Sequence, residues 1–525
     1  MSSAHALAQA IPPLYELEAA GAIIGEIRTR PQNIFDTGDP EENNAVFRFA
    51  NRIHPVTRPN VIERSLLFKT GERLSVQRID ETERLLRGNS YLYDVDIVPV
   101  AYRDGVVDLE VVTRDTWSLR PEIDIQRSGG VTTGSIGLEE RNLLGTGIAV
   151  SAKRISEVDH KGTEFAISDR HALGPFIGVD YAYSDLDTGN NHGFSLGKPF
   201  YALDVRSAGA FAVGQGSRID PVYQAGNVVA EYRHRTEALD TSVGWSAGLI
   251  EGWTRRISAG YRYQDDRYEV DPERTPPSSL PEDATLSGPY LRFEVVQDDF
   301  RKLRNFDLIE RPEFFALGHH SSVQVQRAPE ALGSMRDSWL YALTWSDGTI
   351  ASANRILLAS ASLSGRRDST AHRRQLSANA RFYTRHGPSA LFFASLSGAV
   401  SKSPDISDVL QLGGDNGLRG YPLRYQTGEQ RVLLTLEERG YTNWYPLRLF
   451  RVGGAVFFDV GRAWGGTFPQ GDAEPGWLAD VGVGLRILST RSAFGNVLHA
   501  DLAFPLKNGT NINSYEFSFK TKASF

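Results

Sequence analysis

Within the run Leu412-Gly413-Gly414-Asp415-Asn416-Gly417-Leu418-Arg419-Gly420-Tyr421-Pro422 a single arginine stands among glycines. A guanidinium keeps its charge at any physiological pH and presents a planar fork of donors that fits a carboxylate two bonds at a time. Its chemistry is the clamping of an acid, not proton transfer. Two candidate acids follow. Over 429–439, Arg431, Thr435, Glu437 and Arg439 fall on one face of a strand, and Val432, Leu434 and Leu436 on the other. Over 450–460, Arg451 and Asp459 lie opposite Val452, Val456, Phe458 and Val460. Glu437 and Asp459 therefore sit on the polar faces of successive strands. The residues alone leave open that Arg419 is an exposed loop residue on a flexible glycine turn.

Other chemistries find little support. Gly193-Phe194-Ser195-Leu196-Gly197-Lys198 is too short for a phosphate loop, and Pro199 stands where Ser or Thr is needed. His319 and His320 are adjacent and point to opposite faces of a strand, poor geometry for a shared metal. Asp415 and Asn416 between Gly413 and Gly417 offer too few oxygens for calcium. Asn508-Gly509-Thr510 matches a glycosylation sequon, which by itself carries little weight. No Gly-x-Ser-x-Gly elbow occurs, and with no cysteine there is neither a disulfide nor a thiolate site. We expect no enzyme, no metal and no cofactor. A net charge of −7 and the lack of a basic, aromatic-interleaved patch argue against nucleic acid.

The elements that must position Arg419 and its acids are strands. At the C-terminus Tyr515, Phe517, Phe519, Thr521 and Ala523 alternate with Glu516, Ser518, Lys520, Lys522 and Ser524, ending at Phe525. The same two-faced pattern recurs upstream to about residue 117 and gives twenty-one candidate strands, with no convincing helix among them. No apolar run is long enough for a membrane helix, and a hydrophobic content of 41% is what a barrel with a polar lumen averages to. A closed sheet between lipid and water accounts for the pattern, and it turns Glu437 and Asp459 into its lumen. Two long connections interrupt it, the Pro- and acid-rich 267–287 and the glycine-rich 401–427.

Residues 11–115 read differently. A short strand at Ile23–Ile27 precedes helical spacing at 41–51 and 60–68 and from Ser75. Gly88-Asn89 reads as a left-handed stop. Strands at 94–102 and 106–113 follow, joined by the hairpin signal Arg103-Asp104-Gly105. The order β-α-α-β-β makes a small α+β domain. Ahead of it, residues 1–10 end in Ala8-Gln9-Ala10, the small-x-small triplet of a cleaved leader, or form an Ala-rich disordered segment.

Leu418-Arg419-Gly420-Tyr421 resembles the Val-Arg-Gly-Phe/Tyr signature in the sixth extracellular loop of the outer-membrane assembly-factor superfamily, with Leu418 for the usual Val. That superfamily includes the BamA and TamA insertases and the two-partner secretion transporters. Thr435-Leu436-Glu437, Phe457-Phe458-Asp459-Val460-Gly461, Trp464 and the terminal aromatic Phe525 agree with it. The resemblance implies one periplasmic POTRA domain over 11–115 and a sixteen-stranded antiparallel transmembrane barrel over 116–525. It also implies that loop 401–427 folds inward so that Arg419 meets Glu437 and Asp459. It places the chain in the outer membrane, with unfolded outer-membrane or secreted polypeptides as clients, the lipid bilayer as surroundings, and periplasmic chaperones or accessory subunits as further partners. Insertion or translocation of proteins is the implied activity, with a two-partner secretion pore or a passive porin-like barrel as alternatives.

The first strand, near 117–126, contains Pro121, and a residue without a donor belongs at a sheet edge or bulge. In a closed barrel this strand meets the last one, which carries Phe519 and Phe525. The superfamily opens or thins this seam to release clients. Pro121 weakens it, or else lies beyond the paired region toward the preceding domain.

Overall fold

The structure, a computed structural model, describes residues 11–309, 312–352, 354–466, 473–490 and 497–522. Near the N-terminus a helix, Leu14–Ala19, leads into the strand Ile23–Gln32. Helices Ala45–Ile53, Pro59–Glu63 and Val76–Arg87 follow, and then strands Leu92–Arg103 and Val106–Asp115. Asn44 and Ser75 cap two of the helices by accepting from the backbone N–H groups of Phe47 and Arg78. Asp104 and Gly105 both take positive φ, at 50° and 80°, so the final two strands turn tightly. The strand Val106–Asp115 is central, parallel to Ile23–Gln32 and antiparallel to Leu92–Arg103. Its alternation buries Val107, Leu109 and Val111 completely against Ile62, Ile79 and Leu86 of the helices.

This unit corrects the expected β-α-α-β-β POTRA domain. Three helices, not two, separate the first strand from the second, and another helix precedes it, so no POTRA domain is clearly present. Pro59 starts an extra short helix at its first turn, where its missing N–H is not needed. Gly88 also differs from expectation, closing its helix at φ −65° instead of in the left-handed region.

From Leu119 onward, twenty strands among the described residues close into one antiparallel barrel, the last, Glu516–Lys522, meeting the first, Leu119–Ser128. The expected sixteen is thereby corrected. That number came from the resemblance, whereas the alternation itself gave twenty-one candidates. The surplus one has a physical origin. Candidates at 227–236 and 241–249 are a single strand, Asn227–Ile250, because Glu237, Ala238, Leu239 and Asp240 between them are paired on both flanks and the ladder runs through. Outward positions such as Val243, Trp245, Leu291, Phe293, Val323 and Val325 are exposed, while Glu437, Asp459, Asp480 and Asp501, on inward faces, are buried.

We call the end of the barrel that abuts the N-terminal unit proximal. Arg78 pairs with Asp204 at 2.9 Å, Glu81 accepts from the Leu203 N–H at 2.6 Å, and Asn142 donates to Thr57 at 2.8 Å, all at connections on that end. Two segments leave the wall and fill the lumen. On the distal side, Leu410–Leu412 pairs with Gln426–Gly428 and carries the glycine-rich loop inward. On the proximal side, Phe300–Arg304 pairs with Pro312–Ala316. The expected strand at 314–326 is thus divided between this ribbon and the barrel strand His320–Ala328.

Candidate functional site

Arg419 lies inside the barrel and is buried, only 4% exposed. Its Nε and Nη2 donate to the two oxygens of Asp459 at 2.7 and 3.0 Å, a bidentate pair. Its Nη1 donates to Glu437 at 2.8 Å and reaches Asp501 at 3.5 Å. The guanidinium also stacks 3.4 Å from the centre of the Phe457 ring. Burial works against its charge, yet Asp459 first and Glu437 next more than offset this and hold it protonated.

The rest of the motif fixes the loop around that contact. Leu418 is fully buried beside Leu412 and Tyr421. The Gly420 N–H donates to Asp480 at 3.0 Å, and a Cβ there would come 2.9 Å from the Asp480 side chain. The Tyr421 hydroxyl donates to the Ala479 carbonyl at 2.8 Å and accepts from the Ala479 N–H at 3.2 Å. At Gly417, φ is +130° and a Cβ would lie 2.0 Å from Leu433, so only glycine fits. Asn416, weighed as a calcium ligand, instead accepts from the Gly413 N–H at 2.6 Å and donates to the Gln411 carbonyl at 2.9 Å. Among the described residues, no cluster of three His, Asp or Glu side chains is placed to hold a metal ion.

The loop reaches across the lumen as well. Arg424 makes a bidentate pair with Asp159 at 3.0 and 2.7 Å and stacks on Tyr223, 4.5 Å from its ring centre. One loop is therefore fastened to the walls on both sides.

Residues 365–525 match the Omp85 superfamily domain. The C-terminal part of the chain is an Omp85 superfamily domain. It contains the Arg419 loop, all of the carboxylates on Arg419 and the closing strand of the barrel. No curated protein matches the sequence. Solved structures with a similar fold include BamA from Haemophilus ducreyi lacking POTRA domains 1–3, at 13% identity, TM-score 0.40, covering 95% of this chain and 84% of that one. CdiB from Acinetobacter baumannii is similar at 14% identity, TM-score 0.46, with 96% and 74% coverage. CdiB from Escherichia coli is similar at 10% identity, TM-score 0.49, with 96% and 77% coverage.

The Omp85 domain also holds half of the seam. Among the described residues, one Cα pair, Arg127 with Phe519, joins the first and last strands. By contrast, the last strand pairs with Val497–Pro505 at seven positions, and the first strand with Val131–Glu140 at ten. Side chains supplement that single pair. Ser128 on the first strand donates to the Gly414 carbonyl at 2.5 Å, and Lys520 on the last donates to the same oxygen at 3.1 Å. Lys520 also reaches Ser128 at 3.0 Å. The glycine loop thus bridges the seam from inside. Pro121 lies away from the pair, opposite Leu138 of the second strand. Phe525 lies outside the described residues.

Sequence reasoning missed Asp480, Asp501, Arg486 and the ring of Phe457. The first three carried a usable signal, since Asp480 and Arg486 lie opposite Val481, Val483 and Leu485 in one strand, and Asp501 lies opposite Leu498, Ala500 and Leu502 in the next. The structure also brings Ser65 to His171 Nε2 at 3.2 Å. The Phe176 N–H donates to His171 Nδ1 at 2.9 Å, so Nε2 carries the ring proton and cannot act as a base toward that serine.

Proposed function

We propose that this chain inserts or translocates polypeptides at the outer membrane, and that the clamped loop governs the seam through which they leave. The observation that carries the reading is the junction itself. Among the described residues, a barrel whose strands otherwise pair over long ladders shows one backbone pair at its closure, and a loop carbonyl gathers Ser128 and Lys520 across it. Unpaired strand edges are templates for another strand. A nascent strand can therefore add to either edge once the latch releases.

The Arg419 clamp then acts as a register device. A buried ion pair contributes little net stability, but it selects one arrangement, here the one that presents Gly414 to the seam. The N-terminal sheet has two edge strands, Ile23–Gln32 and Leu92–Arg103, either of which can take an extended client by β-augmentation. No nucleotide is required, because the folding of the client supplies the free energy.

Depletion of the protein followed by quantification of the outer-membrane proteome tests this. Loss of several other barrels is the expected result. Unchanged barrels with loss of one secreted partner would favour a dedicated secretion pore, and an unchanged proteome would favour a passive barrel.

A further inference from the structure

Between the strands ending at Gln297 and beginning at His320 lie 22 residues, 298–319, on the proximal side. Another proximal connection, between Ile250 and Trp253, needs only Glu251 and Gly252. The longer segment does not hang free. After Phe300–Arg304 it turns at Asn305, φ 61°, and returns as Pro312–Ala316. Phe306, Ile309, Phe315 and Leu317 are buried against Ile356, Tyr383, Leu391, Tyr441, Leu488 and Val497, side chains from barrel strands a third of the way round the wall. A contact surface that wide can only be the concave one, so the ribbon sits in the proximal mouth of the lumen.

Polar contacts tie its tip to the charge network of the distal loop. The Phe306 carbonyl accepts from Arg439 Nη1 at 3.2 Å and from the Tyr441 hydroxyl at 3.1 Å. The Tyr383 hydroxyl donates to Asp307 at 3.1 Å. Arg439 Nε in turn donates to Glu437 at 3.0 Å, and Glu437 is the acid that accepts from Arg419. At its base the ribbon meets the N-terminal unit. The Arg84 guanidinium of helix Val76–Arg87 stacks 3.8 Å from the centre of the Phe300 ring and lies 3.9 Å from Asp298.

We propose that the ribbon formed by Phe300–Arg304 and Pro312–Ala316 is a second plug, closing the lumen from the proximal side, and that the N-terminal helix holds it there through Arg84. The lumen is then shut twice, with Arg439 and Glu437 connecting the two closures. Movement of the N-terminal unit, as when it takes up a client, pulls on Phe300 and frees the ribbon. This gate stands apart from the question of which polypeptide passes, since closure to ions can be measured with no client present.

The test is planar-bilayer recording of the full chain. In one variant residues 300–316 are replaced by a short Gly-Ser linker, and another carries Arg84→Ala. The wild type is expected to stay mostly closed. Removal of the ribbon should raise opening frequency or conductance at least tenfold, and Arg84→Ala should raise opening frequency several-fold at unchanged unitary conductance. A ribbon-less barrel that assembles and conducts like the wild type overturns the plug. A gain on removal of the ribbon with no change for Arg84→Ala overturns the control by the N-terminal helix. Should the ribbon-less chain fail to assemble, Arg84→Ala decides, and an unchanged trace then overturns the proposal.

Discussion

At the scale of the residue, Arg419 is the centre of a buried charge cluster in which three guanidinium groups, Arg419, Arg439 and Arg486, face four carboxylates, Glu437, Asp459, Asp480 and Asp501. Removing the central cation leaves acids with no water to turn to. Breaking a buried pair from one side costs about 3–5 kcal/mol, so Arg419→Ala should lower the melting temperature of the barrel and expose the loop to protease. Arg419→Lys should recover only part of this, since an ammonium cannot form the bidentate pair. A melting temperature for Arg419→Ala equal to that of wild type would show that the clamp is dispensable. Gly417→Ala should resemble it, because the new methyl and Leu433 cannot occupy one space at a backbone angle that already disfavours alanine. Glu437 and Asp459 were legible because period two left them one face to occupy. Asp501 and Asp480 were equally so by parity, yet nothing in a linear sequence says which of many lumenal acids a loop 60 to 82 residues away will choose.

Elements divide by the range of the forces that shape them. The cap at Ser75, the turn at Asp104-Gly105 and most barrel strands were readable, since each depends on near neighbours. Two features were not. The length of Asn227–Ile250 is set by partners on both sides that carry one ladder past any bilayer thickness. The proximal ribbon alternates like a wall strand, and only the folded barrel decides that Pro312–Ala316 pairs with Phe300–Arg304 instead. That ribbon makes a pH-dependent prediction. Glu313 accepts from the Phe306 and Asp307 N–H groups at 2.9 and 3.1 Å, and burial, opposed by those bonds and aided by the charge of Asp307, pushes it up to about 8. Charged and titratable neighbours on the packed wall are Arg381, Tyr383, Arg385, Arg439 and Tyr441, with His319 and Asp347 at the base. The docked carboxyl keeps its proton to about pH 8, whereas an undocked one loses it near its ordinary 4.5. Docking therefore binds a proton between these values, its stability falls as pH rises through that window, and it falls no further above it. Opening frequency should climb between pH 5 and about 8, and Glu313→Gln should flatten the climb. A climb that survives in Glu313→Gln would assign it to another group.

For the molecule as a whole, the decisive feature is that a barrel with twenty strands has one joint unlike the others. Among the described residues, the last strand has seven partners on one flank and a single Cα pair, Phe519 with Arg127, on the other. Each hydrogen bond in a ladder contributes roughly 0.5–1.5 kcal/mol net, so a joint held by few of them parts before one held by many. Ser128 and Lys520 both donate to the Gly414 carbonyl, so in the proposed function the clamped loop is what holds the two edges together. Two variants separate the parts. Lys520→Ala should loosen the seam without touching Arg419, giving a barrel that conducts or admits lipid-soluble probes at the joint yet keeps its loop protected from protease. Arg127→Cys with Phe519→Cys does the opposite. The chain has no native cysteine, so any disulfide formed is the intended one. With the seam locked, client assembly in reconstituted vesicles should stop and should return on reduction, while the ion conductance governed by the proximal ribbon stays as it was. Client assembly undiminished by a fully formed disulfide would mean that polypeptides do not leave through this joint, and the weak pairing would need another explanation.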